Sequence, residues 1–370
     1  VKDYSRLSEF FADLDTLPSR SESPHQFHPY PAKFKPQIPA ELIAAFSSEG
    51  DTVLDPMSGS GTTAVEALRL GRNAMSSDSN PISALITRAK TTRLSETSRS
   101  QLEDLPDAIY SNEATTAGAP DFLNREHWFS LPATAALVRI KSAIREIDDP
   151  AAKDVALATM SAILVGVSNQ ESETHWRRVE REVNVDLVLD RFIRKLRTNV
   201  ESLAYLEEVD GTSKTLLADA NNLPLDNASQ DLIVTSPPYA NSHDYYLYHK
   251  LRLFWLDFDV RKTQEVEFGS RNKHSDKKQP VEAYLSAMET VFSECRRVLV
   301  PGGHLAMVVG DSVIRGEFFD MGELLVGVAR NCNLGLAYST SYDQRRYSRV
   351  FRQNRYTAIQ KRSHVLAFQR

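Results

Sequence analysis

The chain has 370 residues, with 44 Lys and Arg against 49 Asp and Glu for a net charge of −5, and is 41% hydrophobic and 25% charged, a composition that excludes a wholly disordered, collagenous or coiled-coil protein. Its length allows two or three domains of roughly 100–200 residues, no apolar stretch approaches the ~18 residues of a bilayer span, and the N-terminus lacks a basic-then-apolar leader, so a soluble, cytoplasmic protein is expected. Two cysteines, Cys295 and Cys332, with no CxxC pair, provide neither a disulfide framework nor a cysteine-rich zinc site, and no metal is expected.

In chain order the text begins as α/β. Residues 38–46 (IPAELIAAF) repeat apolar positions at helical spacing, 52–55 (TVLD) form a short apolar run, and 62–71 read as a helix closed by Gly71. Residues 73–78 (NAMSSD) read as a second strand and 81–91 as a helix with Pro81 at its first position. This βαβα order predicts a doubly wound, Rossmann-like parallel sheet. From about 95 to 207 strand text nearly vanishes, while 134–147, 151–168 and 185–206 carry apolar residues at i, i+3, i+4 spacing, which predicts a helical insertion. Strands resume at 213–219 and 231–235, followed by a helix at 281–299 and a strand at 304–311. A helix at 320–332 and closing strands at 335–342 and 363–370 complete the pattern. The expected division is an N-terminal half (1–95), the insertion (96–212) and a C-terminal half (213–370), with linkers at 111–121 and 207–213 and a charged loop at 259–280.

Two motifs carry chemistry. The first, Asp55 to Thr63 (DPMSGSGTT), sits where a strand ends and a helix begins. Gly59 and Gly61 permit a tight turn and close backbone approach to a ligand, and the helix N-terminus can receive an anion. The GxGxxG spacing fails at Ala64, so this loop alone is weak. Asp78 ends the next strand, where an acid can accept from ribose hydroxyls; the bland reading makes the glycines a plain turn and Asp78 a helix cap. The second motif, Ser236-Pro237-Pro238-Tyr239, follows an apolar strand and is more specific. Consecutive prolines fix an extended backbone and leave carbonyls at fixed positions. An acceptor before them and a ring after them would hold an exocyclic amine and stack its heterocycle.

Together these segments resemble the DNA amino-methyltransferases. Asp55-Pro56-Met57-Ser58-Gly59-Ser60-Gly61 is similar to that family's S-adenosyl-L-methionine motif, and Thr235-Ser236-Pro237-Pro238-Tyr239 to its catalytic motif. His28 to Phe34 (HPYPAKF) resembles the segment packing over the methionine end of the cofactor, Asp78 the ribose-binding acid, and Asp219-Ala220 the adenine contact. The resemblance covers roughly 25–95 and 213–370 and implies the fold, the cofactor and the activity. It assigns cofactor binding to Pro31, Ala32, Phe34, Asp55, Pro56, Ser58, Gly59, Ser60, Gly61, Thr62, Asp78, Asp219 and Ala220, and catalysis to Ser236, Pro237, Pro238 and Tyr239. Neither His28 nor Lys33 is given a catalytic role.

Within that family Asp or Asn before Pro-Pro is usual for adenine N6 and Ser for cytosine N4, and Ser236 stands here. Neither cysteine follows a proline, which argues against the covalent route of the carbon-5 enzymes. The expected reaction is methyl transfer to the N4 amine of a cytosine flipped out of double-stranded DNA, in a restriction-modification or other defence system that can include a cognate nuclease. The rival readings are adenine N6 methylation, methylation of RNA or of a protein glutamine, and a non-catalytic DNA-binding module.

Three segments have open readings. Residues 241–255 read as a helix burying Leu247, Leu251, Phe254 and Trp255, with Asp244 and Tyr245 as pocket candidates. Residues 168–176 (SNQESETHW) either read DNA or cap helices. Residues 344–362 carry seven basic side chains and no acid, Arg345, Arg346, Arg349, Arg352 and Arg355 among them, interleaved with Tyr347, Phe351 and Tyr356. The remainder of the chain therefore carries −12, and the basic segment is a candidate for DNA backbone contacts. A second basic loop holds Arg271, Lys273, Lys277 and Lys278.

Overall fold

The computed structural model describes residues 4–14, 24–113, 115–241, 243–267, 269, 279–343 and 361–370. In chain order its elements begin with α1 (Ser5–Ala12), α2 (Gln37–Phe46), β1 (Thr52–Asp55), α3 (Thr62–Arg69), β2 (Asn73–Asp78) and α4 (Pro81–Thr91). The helical stretch comprises α5 (Glu96–Ser111), α6 (Arg125–Trp128), α7 (Leu131–Arg145), α8 (Pro150–Val167) and α9 (Val185–Ser202), ending in a 3-10 turn (Leu203–Glu208). There follow β3 (Ser213–Leu217), β4 (Gln230–Thr235), α10 (Tyr245–Tyr248), α11 (Lys250–Trp255) and α12 (Val260–Val266). The last elements are α13 (Val281–Val298), β5 (Leu299–Gly310), β6 (Ser312–Ile314), β7 (Glu317–Phe319), α14 (Met321–Asn331), β8 (Gly335–Asp343) and β9 (Arg362–Gln369). The turn of helix at α12 falls inside the stretch expected to be a charged loop. Asp259 starts it by accepting from the backbone N–H of Arg261 (2.8 Å) and Lys262 (3.1 Å).

Seven strands form one sheet in the order β3-β2-β1-β4-β5-β9-β8. The pairs joining β3, β2, β1, β4 and β5 are parallel, and β9 runs antiparallel to both β5 and β8. This is the open, doubly wound architecture expected, and the strand order reverses between β1 and β4, where ligands of such sheets bind.

Strand alternation divides the core between the two faces. Val53, Leu232, Val234, Ala306, Val308, Val365 and Ala367 face one side with α2 to α4, and α5, α7, α8 and α9 join that same apolar cluster. Their neighbours Leu54, Ile233, Leu305, Met307, Val309, Leu366 and Phe368 face α13 and α14 on the other side. The helices at 96–202 thus bury their apolar stripes on the sheet's own helical layer.

Among the described residues α8 is the helix long and apolar enough to cross a bilayer, at 18 residues with a mean hydropathy of 1.4. That corrects the sequence expectation that no stretch reaches this length. The helix is 67% buried because it packs between α4, α7 and α9, as a core helix must. It starts where Asp149 accepts from the N–H of Ala152 at 2.8 Å, with Pro150 in the first turn.

Candidate functional site

The loop leaving β1 turns sharply. Gly59 and Gly61 have φ of +51° and +72°, values that cost an ordinary L-residue about 1–2 kcal/mol. A Cβ on Gly61 would lie 2.8 Å from Thr87 Oγ1 and 3.1 Å from Thr87 Cα, whereas one on Gly59 would sit 3.5 Å from the Tyr30 ring. Gly61 therefore serves the packing of the loop on α4. It does not line the cavity described below, whereas its neighbours Ser58, Gly59, Ser60 and Thr62 do. Buried Lys90 holds the loop from behind by donating to the Ser60 carbonyl at 2.6 Å. Desolvation lowers the pKa of this lysine to about 7, with Lys33 acting in the same direction and Glu66 against it.

Two acids at the strand ends organise the loop further. Asp78 accepts from the N–H of Gly59 and of Asn80, both at 2.8 Å. The helix after Pro81 is capped by Asn80, which accepts from Ile82 N–H at 3.0 Å, so Asp78 is not its cap. Asp55 accepts from Thr235 Oγ1 at 2.7 Å and from Met57 N–H at 3.1 Å. Burial raises both carboxyls to about 6 against the pull of these hydrogen bonds. Because Thr235 is the last residue of β4, its bond to Asp55 ties the two motifs together across the sheet's reversal point.

The Pro-Pro segment leaves β4 directly over this junction. Burial raises the Tyr239 phenol, with the hydroxyls of Ser236 and of Ser363 of β9 acting in the opposite direction. Beyond it Ser312 Oγ donates to the Ala240 carbonyl at 2.9 Å, and Asn241, at φ +59°, donates from its side chain to Val313 O at 2.8 Å. The Glu267 carboxylate accepts from the N–H of Tyr245 (2.7 Å) and Tyr246 (3.1 Å) at the start of α10. The Tyr245 ring stacks on Tyr30 with centroids 5.8 Å apart, and Tyr30 is held by a 2.9 Å hydrogen bond with Ser83.

These groups enclose a cavity of about 520 Å³, inside the roughly 300–1,000 Å³ of small-molecule sites. Its wall gathers Pro31, Ala32, Phe34, Asp55, Pro56, Ser58, Gly59, Ser60, Thr62, Asp78, Asp219 and Ala220 together with Ser236, Pro237, Pro238 and Tyr239. Asp219 is oriented by its own turn, accepting from Asn221 N–H at 2.9 Å. Lys33 also lines the cavity; its ammonium donates to His25 O at 2.9 Å, and burial lowers its pKa to about 8, so it is not simply solvated. His28 is buried, with Nε2 2.9 Å from Ser161 Oγ of α8.

Sequence reasoning missed Thr263, Glu267, Tyr342 and Ser363, which line the cavity from the stretch after Tyr239 and from β8 and β9. Thr174 and His243 line it too, from the segments 168–176 and 241–255 whose readings were open. Tyr245 lines it as well, whereas Asp244 does not. Of the four residues expected to be core after Tyr239, Leu251 and Trp255 are buried and Leu247 and Phe254 only half so, because two short helices replace one long one. Arg345, Arg346, Arg349, Arg352 and Arg355, like Arg271, Lys273, Lys277 and Lys278, lie outside the described residues. The flanks of the former segment, Tyr342 and Ser363, stand at the cavity.

Comparison with known proteins gives a consistent family. A family model described as DNA methylase (N6_N4_Mtase) matches residues 2–87 and 230–360. The Type II methyltransferase M.MvaI of Kocuria varians is 28% identical over 280 residues, 68% of this chain and 61% of that protein. The Type II methyltransferase M.BsoBI of Geobacillus stearothermophilus is 25% identical over 317 residues, 75% of this chain and 61% of that protein. The chain thus spans about three fifths of the length of these curated relatives. Among solved structures, a SAM-dependent methyltransferase of Methanosarcina mazei aligns at 11% identity and TM-score 0.35 over 89% of this chain and 96% of that one.

Proposed function

The chain belongs to the DNA methylase family, whose methyl donor is S-adenosyl-L-methionine, and from that premise we propose that it methylates the N4 amine of a cytosine flipped out of double-stranded DNA. The observation that carries this reading is the junction of Asp55 with Thr235, which puts the Gly59 loop and Ser236 on one cavity.

The cavity fits the donor. Asp78 meets the ribose, Ala220 and Asp219 the adenine, and Pro31, Ala32 and Phe34 the methionyl end, with the N-terminal end of α3 nearby. The donor supplies a methyl group on a positively charged sulfur. What the chain contributes is aim. A cytosine amine is planar and its lone pair is delocalised into the ring. Ser236 Oγ and the Pro237 carbonyl accept its two hydrogens, localise that pair and hold it in line. A Ser236 hydroxyl that donates to Tyr239 keeps its own lone pairs for the amine. Tyr239, which lines the cavity with Ser236 and Ser363, offers its ring to the extruded base. Direct displacement follows, with the amine proton lost during or after transfer.

Ser236 in place of Asp or Asn favours cytosine N4 over adenine N6. The relatives' designation as Type II methyltransferases supports a role in a restriction-modification system, for which the reading adds a cytoplasmic site and a cognate nuclease. The basic segment 344–362 is assigned the phosphate contacts, a reading supported by its charge and by Tyr342 and Ser363, which line the cavity on either side of it in sequence. The test is labelling of varied DNA with radioactive methyl donor, followed by nucleoside mass spectrometry. N4-methylcytosine is the expected product; N6-methyladenine, or label confined to RNA, overturns the assignment.

A further inference from the structure

A second cavity, of about 220 Å³, lies on the far side of the loop that carries Thr174. Its wall is aromatic. The indoles of Trp128 and Trp176 have centroids 4.7 Å apart at 52°, and the rings of Phe122 and Phe254 stack in parallel at 4.4 Å. Lys250 at the start of α11 lines it with its ammonium 5.8 Å from the centre of the Trp176 ring, and Asn124 and His127 add polar edges. Among the described residues no acidic side chain lines it, although Asp121 and Glu126 adjoin lining residues in sequence. Of the carboxylates on the 170–180 segment, Glu171 pairs with Arg177, Glu180 with Arg178, and Glu173 with Arg252.

The two cavities share one wall. Arg252 is fully buried and donates both to Ser161 O of α8 (3.0 Å) and to both oxygens of Glu173 (2.8 and 2.7 Å). This pair, in which Nη2 alone donates to both carboxylate oxygens, ties the 170–178 loop of the insertion to the helix that follows the Pro-Pro motif. On one side of it Thr174 faces the methyl-transfer cavity; on the other Trp176 faces the aromatic one. They are two positions apart in the chain, at most about 7 Å. Tyr245, on the first cavity, stands five positions before Lys250 on the second.

We propose that the aromatic cavity is a nucleotide pocket that takes one base of the DNA substrate other than the reacting one, stacked against the Trp128 and Trp176 indoles, with the Lys250 ammonium meeting a phosphate of the same strand. The chemistry selects this occupant. Planar aromatic walls fit a ring system of any base, and a cation with no acidic side chain among the described lining residues fits the attached phosphate. The volume is below the roughly 300 Å³ at which small-molecule sites begin, so it admits one base and no more. The inference rests on DNA being the substrate, and it gives the helical insertion a direct part in holding the strand.

The three tryptophans of the chain make the test direct, since Trp255 is fully buried in the core and serves as a silent reference. Titrating the full chain with a mixed-sequence single-stranded 12-mer should quench tryptophan emission saturably. The quench should vanish in the double variant Trp128→Phe with Trp176→Phe. Lys250→Ala, a half-buried side chain whose loss opens no core, and Trp176→Ala should each weaken 12-mer binding roughly five- to hundredfold while leaving binding of the methyl donor within twofold. Unchanged 12-mer affinity in Lys250→Ala, or a quench that persists in the double variant, overturns the pocket. Wild-type chain that methylates DNA while both outcomes fail sinks the pocket alone. Wild-type chain that methylates no DNA, yet loses 12-mer binding with Lys250→Ala, keeps the pocket and sinks the methyltransferase reading.

Discussion

Lowering the pH from about 8 to about 5 should release the methyl donor from this site well before carboxylates ordinarily protonate, and Asp78 decides it. Burial lifts its carboxyl from 3.8 to about 6, with the N–H groups of Asn80 and Gly59 pulling the other way. At about pH 5 roughly one carboxylate in eleven is then ionised, so a ligand that needs it as acceptor binds roughly tenfold more weakly. Asp55, also raised to about 6, steepens the fall. Acid unfolding through these groups is not the cause. Between about 4 and 6 the folded chain holds more protons than the unfolded one, so their contribution to stability rises as the pH falls through that window. Asp78→Asn removes the titration. Its amide cannot accept from both Gly59 and Asn80, and it lacks the charge-assisted bond to the ribose, worth about 1.5–3 kcal/mol, so affinity should fall roughly ten- to hundredfold. Isothermal titration calorimetry of both proteins between pH 5 and 8 reads the effect. A wild-type Kd that stays flat from pH 7 to 5, or an Asn variant within about threefold of wild type, refutes the role assigned to Asp78.

The two loop glycines should separate by stability: Gly61→Ala meets Thr87 at 2.8 Å and should cost roughly 2–5 kcal/mol, while Gly59→Ala should cost about 1–2, and the reverse order in chemical denaturation would show the packing account to be wrong. Lys90, depressed to about 7 from 10.5, binds its proton in the unfolded chain but not the folded one across that window, so wild-type stability should rise from about pH 7 to 9 by up to about 1.4 kcal/mol per unit. Lys90→Met should lose most of that rise, Lys33 at about 8 keeping a remainder, and parallel curves would count against it. Tyr239→Ala should leave donor binding within about threefold and lower turnover roughly a hundredfold or more; loss of donor affinity instead would move Tyr239 into the cofactor site. DNA affinity should fall steeply with salt, and replacing Arg345, Arg346, Arg349, Arg352 and Arg355 with Gln should flatten that slope by about 0.9 per lost phosphate contact; an unchanged slope would remove the segment from the DNA interface.

The sheet was legible where local signals agree. β1 and β2 stand at 52–55 and 73–78, the bounds read from two short runs next to glycine turns, and α4 begins at Pro81 as its N1 preference requires. α5 was not, because only Leu102, Leu105 and Ile109 carry its apolar stripe and Pro106 interrupts it. At the site, the residues that follow strands in sequence could be found by motif. Ser363 could not, because what brings it to Tyr239 is the insertion of β9 antiparallel beside β5, pairing Ser363 with Gly310, and nothing within either strand states that pairing. Thr174 and Trp176 fall in the 168–176 segment read as either DNA-reading or helix-capping, and their place on two cavities was not legible for a related reason. Their positions depend on Arg252, 79 residues from Glu173, and a long-range pair has no local periodicity to betray it. Removing Glu173 would leave the fully buried Arg252 guanidinium without its counter-charge, at about 3–5 kcal/mol. The wall between the two cavities therefore draws on a long-range pair, alongside Arg181, which donates to the Glu171 carbonyl, and Arg178, which donates to the His127 carbonyl, and none of these contacts is local in sequence to the Pro-Pro motif.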